Sequence, residues 1–204
     1  DLSPLAGLKQ LTTLSLSENP KLTRAQIDKL KKALPNCVIH HDLMNSAELI
    51  EADIRVKLRK PGGEITQADL AKLKELGGYR GVSDISPMKG AINVEKIEMS
   101  HNQISDLSPL SGMKNLWYLS AQANRIANLS PLAGLTNLRE LLLTGNLITD
   151  LSPLAGLKQL TTLGLTQNPK LTRTEIDKLK KALPNCVIHH DLMNSAELIE
   201  ADIR

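Results

Sequence analysis

Apolar residues in this chain recur in a frame of 22 positions. From Leu151 the chain reads LSPLAGLKQLTTLGLTQNPKLT, and the same frame, with Pro, Gly and Asn in register, fits four other segments. The five segments are 2–23, 85–106, 107–128, 129–150 and 151–172. Self-similarity at a fixed period indicates a stack of identical units, because one such unit cannot bury its own apolar face.

Within each unit the spacing L-x-x-L-x-L predicts a short strand that turns one side inward. In LWYLSAQAN the inward residues are Leu116, Leu119 and Ala121. The asparagine three places later lies where the chain must turn, so its amide can bond backbone groups that the turn leaves unpaired. Ser-Pro then restricts φ and starts the outer segment of the unit.

This pattern resembles the leucine-rich repeat family, in the 22-residue form of bacterial internalins. The resemblance implies an α/β solenoid with short parallel strands on the concave face. It further implies a 3₁₀ or extended convex side and helical caps at both ends. By the same resemblance we expect a non-enzymatic scaffold that binds a protein ligand on its concave face. A secreted or bacterial-surface location would fit the family, although no signal peptide opens this chain.

Both ends of a repeat stack need a cap, because an open end exposes core. Residues 44–84 are predicted to form the helical N-terminal cap, residues 85–172 the four repeats and residues 173–192 the C-terminal cap. In the first cap, Asn45 and Glu48 have capping-box spacing, and Thr66 starts a second helix. The predicted inward stripe of the first helix is Leu49, Ile50, Ala52, Ile54 and Val56, and that of the second is Leu70, Leu73 and Leu76. In the second cap, Thr172 and Glu175 predict another capping box, and Cys186–Ile188 a covering strand.

The chain also contains a longer repeat, which includes one of the 22-residue units and the segment that follows it. Residues 1–55 match residues 150–204 at 50 of 55 positions, and the differences are Ser15/Gly164, Ser17/Thr166, Glu18/Gln167, Ala25/Thr174 and Gln26/Glu175. Residues 1–43 are therefore the back half of a duplicated copy, and residues 193–204 the truncated start of a further N-terminal cap. The pattern suggests an engineered or tandem-duplicated form, with a natural tandem protein as the alternative. We expect Leu5, Leu8, Leu11, Leu14 and Leu16 to lie at an open edge, so that 1–43 and 150–192 exchange between chains.

Composition narrows the classes of function. The chain has 25 basic and 22 acidic residues, a net charge of +3, so no surplus of charge favours nucleic acid. No apolar run is long enough to span a membrane. Two cysteines exclude a disulfide-rich scaffold, and only 1% of residues are aromatic, so the core must be aliphatic.

Ligand contacts are expected at the variable positions of the strands. Trp117 and Tyr118 stand side by side there and, with Arg139, are of the residue types that dominate interface energies. The alternative for Trp117 is that it covers its neighbours and binds nothing. The candidate residues are Glu95, Lys96, Glu98, His101, Trp117, Tyr118, Ser120, Gln122, Arg139, Glu140 and Leu142.

Catalytic and metal sites find little support. His189-His190-Asp191, repeated as His40-His41-Asp42, offers ligands, but adjacent residues of a strand point to opposite faces. Pro61-Gly62-Gly63 lacks the Lys-Ser/Thr of a phosphate loop. We therefore expect no enzyme, cofactor or metal. Two hypotheses remain, a protein-binding module and a self-assembling structural protein that exchanges domains.

Overall fold

The computed structural model describes residues 1–192, and the expectation for 193–204 lies outside them. The strands are β1 Thr13–Ser15, β2 Val38–His40, β3 Glu75–Gly77, β4 Lys96–Glu98, β5 Tyr118–Ser120, β6 Glu140–Leu142, β7 Thr162–Gly164 and β8 Val187–His189. The α-helices are α1 Arg24–Ala33, α2 Ser46–Leu58, α3 Gln67–Leu70 and α4 Arg173–Ala182. Short 3₁₀ helices occupy Ser3–Gly7, Ser86–Met88, Ser108–Leu110, Ser130–Leu132 and Ser152–Leu154.

The strands form two parallel sheets. Strands β3 to β8 make a six-stranded sheet in chain order, and β1 pairs with β2 in a separate sheet of two. In the large sheet the middle residues of neighbouring strands are register partners, as with Ile97 and Leu119, or Leu119 and Leu141. Strands in chain order with a 3₁₀ segment on each return from β3 to β7 confirm the leucine-rich repeat solenoid expected from the 22-residue frame.

The outer side of each repeat is held by a short polar motif that precedes Ser-Pro. Asp106 accepts hydrogen bonds from the backbone N–H and the hydroxyl of Ser108, at 2.8 and 2.7 Å. Asp150 binds Ser152 in the same way. These bonds lower the pKa of Asp106 and of Asp150, the backbone bond contributing most. Because proline supplies a preset φ at the same point, the turn into the 3₁₀ helix is specified locally.

The repeated asparagines form a buried ladder, as the turn argument predicted. The side-chain Oδ1 of Asn124 accepts from the backbone N–H of Ile104 at 2.9 Å. Its Nδ2 donates to the carbonyl oxygens of Met99 and Ala121 at 3.0 and 3.1 Å. One amide thus joins two consecutive repeats, and Asn102, Asn146 and Asn168 do the same.

The N-terminal cap differs from expectation in two places. Helix α2 begins with the predicted capping box of Asn45 and Glu48, but Val56 is exposed rather than buried. Helix α3 has only four residues, whereas a longer helix through Leu76 was predicted. Leu76 instead lies in β3, opposite Ile97, because Leu73-x-x-Leu76 already follows the spacing of the repeats. The sheet therefore begins inside the cap.

The C-terminal cap follows its prediction closely. Thr172 caps α4 by accepting a hydrogen bond from the backbone N–H of Glu175, and Ile176 and Leu179 are buried. The Glu175 carboxylate does not complete the capping box, since it contacts Leu151 and Lys178 instead. Strand β8 covers β7, one residue later than expected.

Residues 1–43 form a small unit with its own apolar cluster, which includes Leu16, Leu30 and Leu34. Helix α2 packs against β2, so this unit adjoins the N-terminal cap. Beyond β1 no further strand continues the small sheet within the described part of the chain. Leu8 is exposed at this end, as expected, but Leu16 is buried because the unit's own α1 and β2 residues surround it.

Candidate binding surface on the concave face

Each strand of the large sheet has three residues, of which the middle one points into the core and the outer two face the concave side. Because the strands are parallel and in register, the outer residues form two rows across the sheet. One row is Glu75, Lys96, Tyr118, Glu140, Thr162 and Val187, and the other is Gly77, Glu98, Ser120, Leu142, Gly164 and His189. The residue before each strand, Trp117 in the third, extends this surface.

The predicted residues fall into three groups by exposure. Exposed side chains are Lys96, His101, Trp117 and Arg139, and partly buried ones are Glu95, Glu98, Tyr118, Gln122, Glu140 and Leu142. Ser120 is only 1% exposed. Ten of the eleven predicted residues therefore reach the surface, and Ser120 is the exception.

Trp117 and Tyr118 form an aromatic pair in this surface. Their ring centroids are 5.8 Å apart with an interplanar angle of 66°, an edge-to-face arrangement. The ammonium of Lys96 lies 5.1 Å from the Tyr118 ring centroid, a cation–π distance. The hydroxyl of Tyr118 donates to Glu98 at 3.3 Å. Contacts with Lys96 and Glu98 of β4 therefore hold Tyr118 in place, while Trp117 keeps 38% of its surface exposed.

A shallow depression of ≈ 470 Å³ lies beside Trp117. It is lined by Glu95, Asn115, Trp117, Asn137, Arg139, Glu140 and Thr161. Glu95 is paired with Lys74 at 2.6 Å, whereas no carboxylate of residues 1–192 lies within ion-pair distance of the Arg139 guanidinium. The depression thus brings an aromatic ring beside a cation that has no internal counter-ion among the described residues.

Ser120 belongs to the interior of the surface and not to its contact layer. Its hydroxyl lies 2.7 Å from that of Ser100, which in turn donates to Glu98 at 2.7 Å. Glu98 is thereby connected to both Ser100 and Tyr118. Ser120 is among the predicted ligand contacts, but in this structure its neighbours cover its side chain. It supports the orientation of Glu98, which in turn accepts from the Tyr118 hydroxyl.

Burial raises the pKa of the Tyr118 hydroxyl, and the nearby Glu98 carboxylate raises it further. Tyr118 therefore stays neutral over the physiological range and acts as a hydrogen-bond donor. Its interaction with a ligand would be that of an amphipathic ring rather than of an anion.

His101 lies outside the depression beside Trp117. Its backbone has φ of 59°, in the left-handed region, and its N–H donates to the Gln122 carbonyl at 2.8 Å. The equivalent residues Ala123, Gly145 and Gln167 share a positive φ. This column of left-handed residues was not predicted from the sequence, although Gly145 indicates it, since glycine accepts that conformation without steric cost.

The leucine-rich repeat family model matches residues 71–183, more than half of the chain. The chain belongs to the leucine-rich repeat family. Its structure is similar to that of an internalin (inlF) of Listeria monocytogenes, with 28% identity and a TM-score of 0.64. That match covers 76% of this chain and 49% of the internalin, so the chain spans about half the length of this relative.

Two other solved structures share the fold. A leucine-rich repeat protein of Leptospira interrogans has 22% identity and a TM-score of 0.59, over 90% of this chain and 50% of that one. The functional domain of InlJ of Listeria monocytogenes has 19% identity and a TM-score of 0.53, over 75% and 40%. No significant relative is found among curated proteins.

Leucine-rich repeat proteins are typically non-enzymatic scaffolds that bind protein partners. Among residues 1–192 no three His, Cys, Asp or Glu side chains are grouped as metal ligands would be. None of the helices described is both long and apolar enough to cross a membrane.

Proposed function

We propose that this leucine-rich repeat protein binds a protein ligand on its concave face and that Trp117 is the centre of the contact. The single observation that carries the proposal is the exposed aromatic pair of Trp117 and Tyr118, standing beside Arg139 on a rigid sheet. Large aromatic side chains and arginine contribute most to binding energy when a partner excludes water from them.

The surroundings of Trp117 favour a partner of mixed character. Arg139 offers a planar donor to a carboxylate, and Glu140 offers an acceptor close by. Leu142 adds a partly buried apolar side chain one strand away from Ser120. An acidic or polar loop with an apolar tip would complement this set better than a uniformly basic partner would.

We infer that the chain is not an enzyme. Glu98, Ser100 and Tyr118 of the concave face are engaged with one another through hydrogen bonds. A nucleophile would need a base within hydrogen-bond reach and a third group to orient that base. Cys186 does not fit that role, since burial raises the pKa of its thiol to about 11 and so favours the unreactive protonated form.

Substitution of Trp117 tests the binding proposal. The purified chain is screened against an array of extracellular protein domains, and each domain that binds is tested again with Trp117→Ala. We expect this variant to bind about thirtyfold more weakly, because removal of a central aromatic contact costs about 2 kcal/mol. Its melting temperature should scarcely change, since the ring lies outside the core.

The matched control is Ile92→Ala, which removes an apolar side chain that is also exposed but lies before β4, outside the depression. This variant should bind as the unchanged chain does. A partner that binds Trp117→Ala and the unchanged chain equally would show that Trp117 is not the contact.

We propose, as a second function, self-association of the chain through exchange of 1–43 and 150–192. In this organisation residues 44–84, 85–172 and 173–192 form one complete unit, and 1–43 is a second back half produced by engineering or tandem duplication. Leu8 supports the idea, since it is 49% exposed at the open end of 1–43, whereas Leu157 at the same place in 150–192 is 0% exposed.

Light scattering during size-exclusion chromatography tests exchange. Discrete oligomers or open fibres that Leu8→Glu shifts toward monomer would support it, because a charge at the open end opposes apolar association. Lys9→Glu is the matched control, one residue away. A monomer at all concentrations would exclude exchange between chains, and binding of a protein ligand would remain as the proposed function.

A further inference from the structure

Residues 1–43 meet the N-terminal cap through a closely fitted junction. Helix α2 covers β2, and Val38 and Ile39 are buried there. Glu48 of α2 binds Arg24 at 2.6 Å and Lys31 at 2.9 Å, both on α1. Gly62 lies so close that a Cβ atom would stand 2.8 Å from the Pro35 carbonyl oxygen. Charge pairing, apolar burial and steric fit therefore all contribute to this junction.

His41 is buried at this junction without a hydrogen bond. It follows β2 directly, and it is 4% exposed. Neither ring nitrogen has a hydrogen-bond partner among residues 1–192. A buried donor or acceptor that is left unpaired costs about 1–3 kcal/mol, so His41 opposes closure of the junction even when it is neutral.

The same residue in the second copy has a different environment. His190 is partly exposed, and its Nδ1 accepts a hydrogen bond from the Leu192 N–H at 3.2 Å. The two histidines occupy equivalent positions of nearly identical segments. At the junction with α2, the ring nitrogens of His41 thus lack a hydrogen bond of the kind that His190 makes.

The charges around His41 do not favour protonation of its neutral imidazole. Lys31 and Arg24 of α1 oppose it, and Glu48 of α2 and Asp28 of α1 favour it. Glu48 is already occupied by both cations. The cleft beside the imidazole is also lined by His40, Asp42, Asp53 and Arg80. Burial first, and then Lys31, lower the pKa of His41 below its ordinary value of 6.5.

We propose that the junction between 1–43 and α2 is acid-sensitive and opens as His41 takes up a proton. Opening exposes the imidazole to water, where it binds a proton more readily than it does when buried beside Lys31. The junction between residues 1–43 and the N-terminal cap would then be closed at neutral pH and open in an acidic environment. The rest of the stack need not unfold for this to occur.

The sign of the effect follows from linkage. Because the pKa of His41 is lower in the closed form than in the open form, the open form binds more protons below pH 6.5. The opening equilibrium therefore rises as pH falls below 6.5, by at most about tenfold per pH unit.

Glu48 acts at a lower pH and can be separated from His41. Burial raises the pKa of Glu48, but hydrogen bonds from Arg24 and Lys31 outweigh burial and lower it to about 2. Its stabilising contribution is complete above its ordinary pKa of 4.5 and is lost as pH falls toward 2. Between pH 6.5 and about 5, Glu48 stays mostly ionised, so it does not supply the change in charge at the junction.

Alkylation of Cys37 in the full chain reports the opening. Cys37 is buried next to β2. Cleavage after glutamate places Cys37 in the peptide 19–48 and Cys186 in 176–197, and the different masses of these peptides distinguish the two products. The rate is measured from pH 7.5 to 5 for the unchanged chain, His41→Leu and His190→Leu. The alkylation rate of each chain is divided by the rate of His41→Leu at the same pH. This ratio is free of the pH dependence of the thiol itself. We expect this ratio to rise up to about thirtyfold by pH 5 in the unchanged chain and in His190→Leu.

A constant ratio from pH 7.5 to 5 would overturn the proposal, and so would a His190→Leu variant that behaves as His41→Leu does. If circular dichroism shows that His41→Leu does not fold, an NMR titration of the His41 ring in the unchanged chain decides instead. A midpoint below 6.5 that coincides with the loss of Cys37 protection supports the proposal, and a midpoint at or above 6.5 overturns it.

Discussion

Residues 1–43 and 150–192 are the same sequence, apart from five positions, in two different environments. Both fold into a 3₁₀ turn, a strand, a ten-residue helix and a second strand. Their burial is opposite at the two ends. Leu8 is 49% exposed and Leu157 0%, whereas Val38 is 6% exposed and Val187 58%. Local sequence therefore specifies the elements, and the neighbours decide which of their faces form core.

The difference has a simple structural origin. In the second copy the repeat 129–150 covers the 3₁₀ and strand side, with β6 paired to β7. In the first copy that side faces solvent, but α2 covers β2 on the other side. Each copy thus has one exposed face whose equivalent is buried in the other copy.

The largest expected effect compares the two leucines of the 3₁₀ side. Leu157→Ala should lower the free energy of unfolding by about 3 kcal/mol, because it leaves a cavity in a fully buried site. Leu8→Ala should change it by less than about 0.5 kcal/mol, as surface substitutions do. Urea denaturation followed by circular dichroism measures both. Equal losses would mean that Leu8 is covered in solution, as domain exchange would require.

A smaller effect is expected at β2 and β8. Here the substitution in the first copy should cost more stability than the equivalent one in the second copy. Val38→Ala should cost about 2 kcal/mol in the stability of 1–43 against the cap, since Val38 is buried beneath α2. Val187→Ala should be close to neutral, because its side chain is largely exposed. Hydrogen exchange of the backbone in β2 and in β8 provides the measurement. A cost for Val187 equal to that for Val38 would indicate that something covers β8.

The smallest effect should be the same in both copies. Glu18 and Gln167 have φ of 62° and 55°, and the backbone N–H of each donates to an aspartate carboxylate further along its own copy. Glycine accepts this conformation without penalty, so Glu18→Gly and Gln167→Gly should each stabilise their copy by up to about 1 kcal/mol. Thermal melts of the two variants test this. A gain in only one copy would show that the backbone there depends on its neighbours.

The repeat frame made most of the fold predictable. Leu116, Leu119 and Ala121 are buried as the L-x-x-L-x-L spacing requires, and the repeated asparagines bond as the turn argument expects. The elements were harder to predict where two sequence patterns overlap. Around Leu73 and Leu76 a helical stripe and the repeat spacing coincide, and pairing with β4 decides in favour of a strand.

The candidate surface was predictable in outline and not in detail. The variable positions of the L-x-x-L-x-L spacing place Trp117, Tyr118 and Arg139 at or beside the concave face, but they do not reveal that Ser120 is covered. That depends on the hydroxyl of Ser100 in the preceding repeat, 2.7 Å away. The burial of His41 could likewise not be predicted from its own segment, since His190 in the equivalent position is partly exposed.

The sequence by itself determined the repeat period, the strand and turn positions and the helix caps. These depend on contacts within about 25 residues, such as Asp106 with Ser108 or Asn45 with Glu48. Only the tertiary structure decided which copy of each apolar face became core and which histidine lost its hydrogen bonds. The reason is physical: backbone conformation and capping are local, whereas the removal of a side chain from water requires a neighbour that the side chain's own sequence does not specify.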